Sequence, residues 1–195
     1  MALGRQKEFI REEALRAAME TFWSKGYEGT SIPDLMHNMG ISRSSLYETF
    51  GDKQSLLNEA VKYYSRLVGE RKRSILANAM TVKQGLTVYF SYHMEMALAE
   101  NWPGGCLITN LSIYQDYLDD ETKALIQDRS ETLEEAFYNL LEKGKETGEL
   151  RPTLNSRKIA RLLLSINHGI NVVARVKRDK SLLEDISKSI VNLLA

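Results

Sequence analysis

The sequence is poor in cysteine, proline and histidine, with one, three and three of them in 195 residues, and it carries no net charge, 26 Lys+Arg standing against 26 Asp+Glu. Each shortage excludes something. A single thiol, Cys106, rules out an intrachain disulfide and suits a reducing compartment. With one cysteine, the widely spaced His37, His93 and His168 offer no structural zinc spacing, so neither a metal nor a cofactor is expected. The longest stretch without a charge, Asn101 to Gln115, contains Pro103, Gly104 and Gly105 and is too short to span a bilayer. Arg5 and Lys7 precede any apolar run, unlike a signal peptide, so a cytoplasmic protein that does not engage membranes is expected. A zero charge also argues against a nonspecific phosphate binder, which is usually basic.

What is present is ordinary for a soluble globular chain: 43% apolar and 27% charged residues, with enough mass for a buried core. The apolar residues recur at helical spacing. Ile10, Ala14, Ala17, Ala18 and Phe22 share a face, and Gly26 ends that helix. The same three- and four-residue steps join Leu86, Phe90, His93 and Ala97, then Leu133, Phe137, Leu140 and Leu141, then Ile159 through Val173. No stretch alternates with period two, so the fold class is all-α, with about nine helices. Helix starts are expected at Thr30 or Ser31 (before Pro33), Ser42, Asp52, Asp119, Ser156 and Ser181. From about Asp52 to Ala79 no breaker occurs, which predicts one helix joining an N-terminal unit rigidly to the rest.

The segment TSIPDLMHNMGISRSSLYETFGDK, from Thr30 to Lys53, predicts a short helix near Ser31–Asn38, a turn at Met39–Gly40–Ile41 and a second short helix near Ser42–Thr49. Gly40 permits the sharp turn, and two short helices around such a turn form a helix-turn-helix, about 31–50. The second helix presents Ser42, Arg43, Ser44 and Ser45, small residues around one guanidinium. Arg can pair with guanine edges, and serine hydroxyls reach bases or phosphates. Tyr47 carries a hydroxyl suited to a phosphate, and Lys53 can share one with the N-terminal amides of the next helix. The plain alternative is a helical pair inside a bundle.

Lys7 to Leu67 resembles the DNA-binding domain of TetR-type transcriptional regulators. The residues carrying the likeness are Gly40, Ile41, Ser42, Leu46, Tyr47, Phe50, Lys53 and Leu56, after a GYEGTS stretch ending at Ser31. Ser44 stands where many members carry glycine. The resemblance implies a DNA-binding domain over 1–67 and a ligand-sensing and dimerisation domain over 68–195. It implies phosphate contacts at Thr30 and Tyr47, base-facing Arg43 and Ser45, and a backbone clamp at Lys53. Arg5 and Lys7 are either a basic arm or a solvated terminus. Arg71, Lys72 and Arg73, roughly 27 Å along the connecting helix from Lys53 at 1.5 Å per residue, are a solvated face or a domain contact.

The resemblance further implies a homodimer reading a near-palindromic double-stranded operator as a repressor, and a small, largely apolar ligand. Dimer candidates are Ile159, Leu162, Leu163, Ile166, Gly169, Ile170 and Val173, with Leu183, Ile186 and Ile190 from the last helix. Ligand candidates are Tyr89, Tyr92, His93, Met96, Trp102, Cys106, Asn110, Tyr114, Phe137 and Asn171, each equally readable as core. Cys106, in a G-C-L segment like that of some electrophile- or oxidant-sensing members, is either a redox switch, with Arg175 folding back to it, or an inert buried thiol. No general base accompanies it in the sequence and no glycine-rich nucleotide loop occurs, so no enzyme is expected. Residues 1–75 hold 12 Lys/Arg against 10 Asp/Glu and residues 76–195 hold 14 against 16, so DNA would be held by few cations, giving a moderate salt dependence.

Overall fold

The structure, a computed structural model, describes residues 10–100 and 102–194; Arg5 and Lys7 lie outside them. Three short helices, α1 (Arg11–Lys25), α2 (Ile32–Met39) and α3 (Arg43–Phe50), gather on α4 (Lys53–Tyr64). α1 buries Ala14, Leu15, Ala18, Met19, Phe22 and Trp23, the stripe its spacing predicts. Ser31 and Asp34 form a reciprocal capping box at the start of α2. Gly40, at φ 67, takes the left-handed conformation that turns α2 into α3. Ser42 accepts from the Ser45 amide (3.1 Å) and Asp52 from the Ser55 amide (2.7 Å), capping α3 and α4.

α4 runs on through a π turn (Ser65–Gly69) into α5 (Glu70–Ala77). The expected unbroken helix is therefore continuous in direction but widened at Ser65, whose hydroxyl donates to the Val61 carbonyl at 2.8 Å. Then come α6 (Val82–Leu98), α7 (Leu107–Ser112), a 3-10 turn (Gln115–Tyr117), α8 (Asp120–Glu146), α9 (Ser156–Val176) and α10 (Lys180–Leu194). With α4 and α5 counted as one there are nine α-helices, and no strand occurs among the described residues. α8 lies along α9, and α6 lies against both α9 and α10. Close packing of α6 on α8 requires Gly144, where a Cβ would stand 2.3 Å from Val82 Cγ2. Two helix starts differ from expectation. Asn155, not Ser156, caps α9 by accepting from the Lys158 amide (3.0 Å), and Asp179, not Ser181, receives the Leu182 amide (3.1 Å). In each case the capping side chain lies three residues before the amide it accepts, one or two residues earlier than the hydroxyl expected.

Two apolar cores result. One is built from α1–α4 and extends to Cys106, Leu107, Ile108 and Leu111 at α7 and to Leu118 and Ile126. The other joins α5, α6, α8, α9 and α10 around Tyr89, Phe90 and Phe137. The N-terminal core thus reaches into sequence well beyond residue 67.

Candidate functional site

The outer face of α3 and its flanks brings most of the expected DNA-facing groups together. Ser31, Ser42, Arg43, Ser44 and Tyr47 are exposed, and the Arg43 guanidinium lies 5.7 Å from the Tyr47 ring centre. Two expected contacts point elsewhere. Thr30 is buried and its hydroxyl donates to the Gly26 carbonyl at 2.6 Å, closing the loop before α2. Ser45 is also buried, its hydroxyl 2.9 Å from that of Ser42, so it joins the cap of α3 instead of facing outward. Thr30 turns inward to a carbonyl one turn back, and Ser45 to the hydroxyl that caps its own helix. At α4 the Asp52 carboxylate holds the Ser55 amide, a hydrogen bond that pulls its pKa below the usual range. The Lys53 ammonium sits 4.2 Å over the Tyr27 ring. Lys53 is thus a cation steadied by an aromatic face, next to a helix end already occupied by a carboxylate.

The ten ligand candidates do not line one cavity. Tyr89 and Phe137 are core residues in edge contact, with centroids 4.9 Å apart, and the Tyr89 hydroxyl donates to Asn167 Oδ1 at 2.8 Å. Trp102 packs on Trp23 (4.7 Å), half-buried Met96 lies against the N-terminal core, and Tyr92 sits beneath Arg71 (5.3 Å). Asn110 and Tyr114 border a separate surface cleft beside Trp23. Asn171 Nδ2 donates to Thr109 Oγ1 (3.0 Å), while its Oδ1 has no partner. Cys106 alone of the ten lines a cavity of about 70 Å³ between the π turn, α5, α7, α8 and α9. The Tyr64 hydroxyl donates to its Sγ at 3.2 Å. Arg175 does not fold back to the thiol; its Nη2 donates to the Ser24 carbonyl at 3.3 Å.

The residue missed by sequence reasoning is Lys72. It does not lie on a solvated face: it is buried, with Nζ 2.7 Å from His93 Nδ1. His93 Nε2 lies 3.1 Å from the Asn167 carbonyl, so Nε2 carries the proton and Nδ1 accepts from Lys72. Burial pushes the His93 pKa well below its ordinary value, helped by the Lys72 charge, and burial lowers that of Lys72 as well. A signal was there. Lys72 stands four residues after Val68 and four before Leu76, both buried, on the inward stripe of the helix. His168, which the sequence separates widely from Cys106, lines the same cavity, its Nδ1 3.0 Å from Thr109 Oγ1.

On α9 and α10 the dimer candidates split. Leu163, Ile170, Leu183 and Ile190 are buried in the chain's own core and present nothing to a partner. Ile159, Ile166, Val173 and Ile186 are half-buried, while Leu162 and Gly169 are exposed. Val172, Val176 and Leu182 are exposed too and extend the outer stripe. The apolar arc of α9 is wide enough to serve two faces, and the inner one belongs to the monomer.

Comparison with known proteins agrees with this geometry. Residues 14–60 match bacterial regulatory proteins of the tetR family, and residues 83–190 match the tetracyclin repressor-like C-terminal domain. The HTH-type transcriptional regulator YezE of Bacillus subtilis is 33% identical over 94% of this chain and 95% of its own length. The HTH-type transcriptional repressor ComR of Escherichia coli is 27% identical over 88% of this chain and 82% of its own. Among solved structures, a cysteine mutant of the TetR family regulator CifR complexed with operator DNA superposes with a TM-score of 0.86 at 25% identity, covering 96% of this chain and 98% of that one. The reduced form of E. coli NemR shares the fold, with a TM-score of 0.81 at 19% identity over 94% and 96% of the two chains.

Proposed function

The chain belongs to the TetR family of DNA-binding transcriptional regulators, and we propose that it works as a homodimeric repressor that a small ligand releases from a near-palindromic operator. Residues 1–67 would hold the DNA and residues 68–195 would sense and dimerise. The observation that carries this reading is the outer face of α3, where one guanidinium stands among small hydroxyls with Tyr47 beside it. That face fits a major groove, with Arg43 as the base-reading group and Ser42, Ser44 and Tyr47 on the phosphates. Support for the dimer comes from the stripe Leu162, Ile166, Gly169, Val172 and Val176, at successive turns of α9. At Gly169 a Cβ would meet nothing within 4 Å, so a second helix has room to approach. Two copies joined there would set two α3 helices for successive major grooves, about 34–36 Å apart.

A footprint on the DNA flanking its own gene tests the proposal; no protection at any salt concentration would refute it. Arg43→Ala should lose preference for the operator yet remain dimeric, and an unchanged preference would remove Arg43 from base reading. Val172→Glu should give a monomer by sedimentation and weaken operator binding together with dimerisation. The ligand must bind the released state more tightly than the DNA-bound one, or it shifts nothing.

A second reading rests on Cys106, whose Sγ lines the cavity and accepts from Tyr64. In it, an electrophile or oxidant acts on the thiol. Cys106→Ser should then bind DNA normally and stay bound when the electrophile is added; release at the wild-type concentration would eliminate this switch.

A further inference from the structure

The reading of the chain as a ligand-released regulator leaves the chemistry of the ligand open, and the cavity walls bear on it. Lys72 is 7% exposed, and none of the residues lining the cavity it borders is Asp or Glu. An ammonium has three hydrogens. His93 Nδ1 takes one, at 2.7 Å, and no other acceptor among the described residues hydrogen-bonds to it. The face of Tyr89, 5.8 Å away, and the Cys106 thiol across the cavity are the other groups that favour its charge, and neither is a carboxylate. His93 cannot serve as a counter-ion, because its imidazole is neutral with Nε2–H held by the Asn167 carbonyl. Arg129 also lines the cavity but is paired with Asp128 (2.6 Å), whereas Arg73 has no ion pair among the described residues. A buried cation without an acid is costly to keep in a fold and is the natural counterpart of a buried anion.

The remaining walls are largely apolar: Val68, Ile108, Leu133 and Leu164. Thr109 and His168 already bond to each other. We propose that this cavity takes a compact monocarboxylate, its carboxylate on the Lys72 ammonium and its apolar body against Val68, Ile108, Leu133 and Leu164. A cavity of about 70 Å³ corresponds to a few waters, so the ligand is small. Val68 and Gly69 belong to the π turn that joins α4 to α5. An occupant therefore presses on the helix that carries α1–α3, at the point where its backbone ladder is already widened.

The test uses the full chain without DNA, so its outcome is independent of the operator footprint. Straight-chain monocarboxylates from propionate to hexanoate are titrated by calorimetry, each beside its neutral amide. The acid is expected to bind more tightly than the amide by about 10- to 100-fold, the contribution of a charge-assisted hydrogen bond. In Lys72→Met, which keeps the length of the stem, that preference should vanish. If this variant does not fold, amine acetylation read by mass spectrometry on the wild-type chain gives the same answer, with the acid and not the amide protecting Lys72. Equal binding of acid and amide, a preference that survives in Lys72→Met, inorganic phosphate binding as tightly as the best acid, or no acid binding at all would each overturn the proposal.

Discussion

In the N-terminal unit most buried hydroxyls are satisfied within one turn of chain. Thr21 donates to the Ala17 carbonyl, Thr30 to that of Gly26, and Ser45 meets Ser42. In the sensor half, Ser187 is likewise satisfied locally, by the Glu184 carbonyl, but several buried polar groups find partners across long stretches of sequence. Lys72 reaches His93, 21 residues on; Tyr89 and His93 reach Asn167, 78 and 74 residues on; Thr109 receives from Asn171, 62 residues on. The first arrangement yields a dry core with hydroxyls stitched to its own helices. The second yields a polar thread through the middle of a bundle, with a cation in it. A dry core loses stability when apolar volume is removed, whereas a threaded core responds to charge and pH.

The largest expected effect lies on the dry side. Phe22→Ala, at a side chain only 1% exposed, should cost about 3–5 kcal/mol in urea unfolding, since it combines lost burial with a cavity. A loss below about 1 kcal/mol would mean the N-terminal core is loosely packed. On the threaded side the sign should reverse. Lys72→Met should raise stability by about 1 kcal/mol, because replacing a buried charge that has no carboxylate by an apolar stem outweighs leaving His93 Nδ1 without its donor; clear destabilisation would show that the ammonium is better compensated than its contacts indicate.

Acid should separate the halves further. Burial holds the His93 pKa below its unfolded value. As pH falls below about 6.5, the unfolded chain therefore takes up a proton that the fold refuses. Stability is lost at about 1.4 kcal/mol per pH unit until the folded pKa is reached. Chemical denaturation of His93→Gln between pH 5 and 8 should show a shallower slope, the part left belonging to His168, whose pKa burial also lowers, and a slope equal to wild type would remove His93 as its source. The smallest effect belongs to local chemistry. Ser31→Ala removes the cap of α2 and should cost about 1 kcal/mol in thermal unfolding while leaving the slope between pH 5 and 8 unchanged.

The same contrast explains what was legible in the sequence. Ser31, Ser42 and Asp52 announce helix starts through bonds to amides three residues on, and Gly40 announces a turn through its own backbone freedom. The residue type of Thr30 and Ser45 suits a DNA face, but a hydroxyl's direction depends on which carbonyl or hydroxyl the fold puts nearest. The charged run Arg71–Arg73 hides that Lys72 lies on the Val68–Leu76 stripe, whose neighbours are buried. Periodicity marks an apolar arc on α9 and α10 without saying how much of it the chain covers itself. Leu163 and Ile170 face inward from α9, and Leu162 and Val172 face outward.

By itself the sequence determined the all-α class, the helix-turn-helix with its caps and glycine, and the family, since each rests on residues within a turn or two of one another. Only the tertiary structure decided that Cys106, Lys72 and His168 share a cavity and that Arg175 stays away from it. It alone decided which side of α9 is free, and that a zero net charge conceals an unpaired cation in the interior. These depend on which distant segments pack together, and packing sums many weak apolar contacts that no short stretch of sequence encodes.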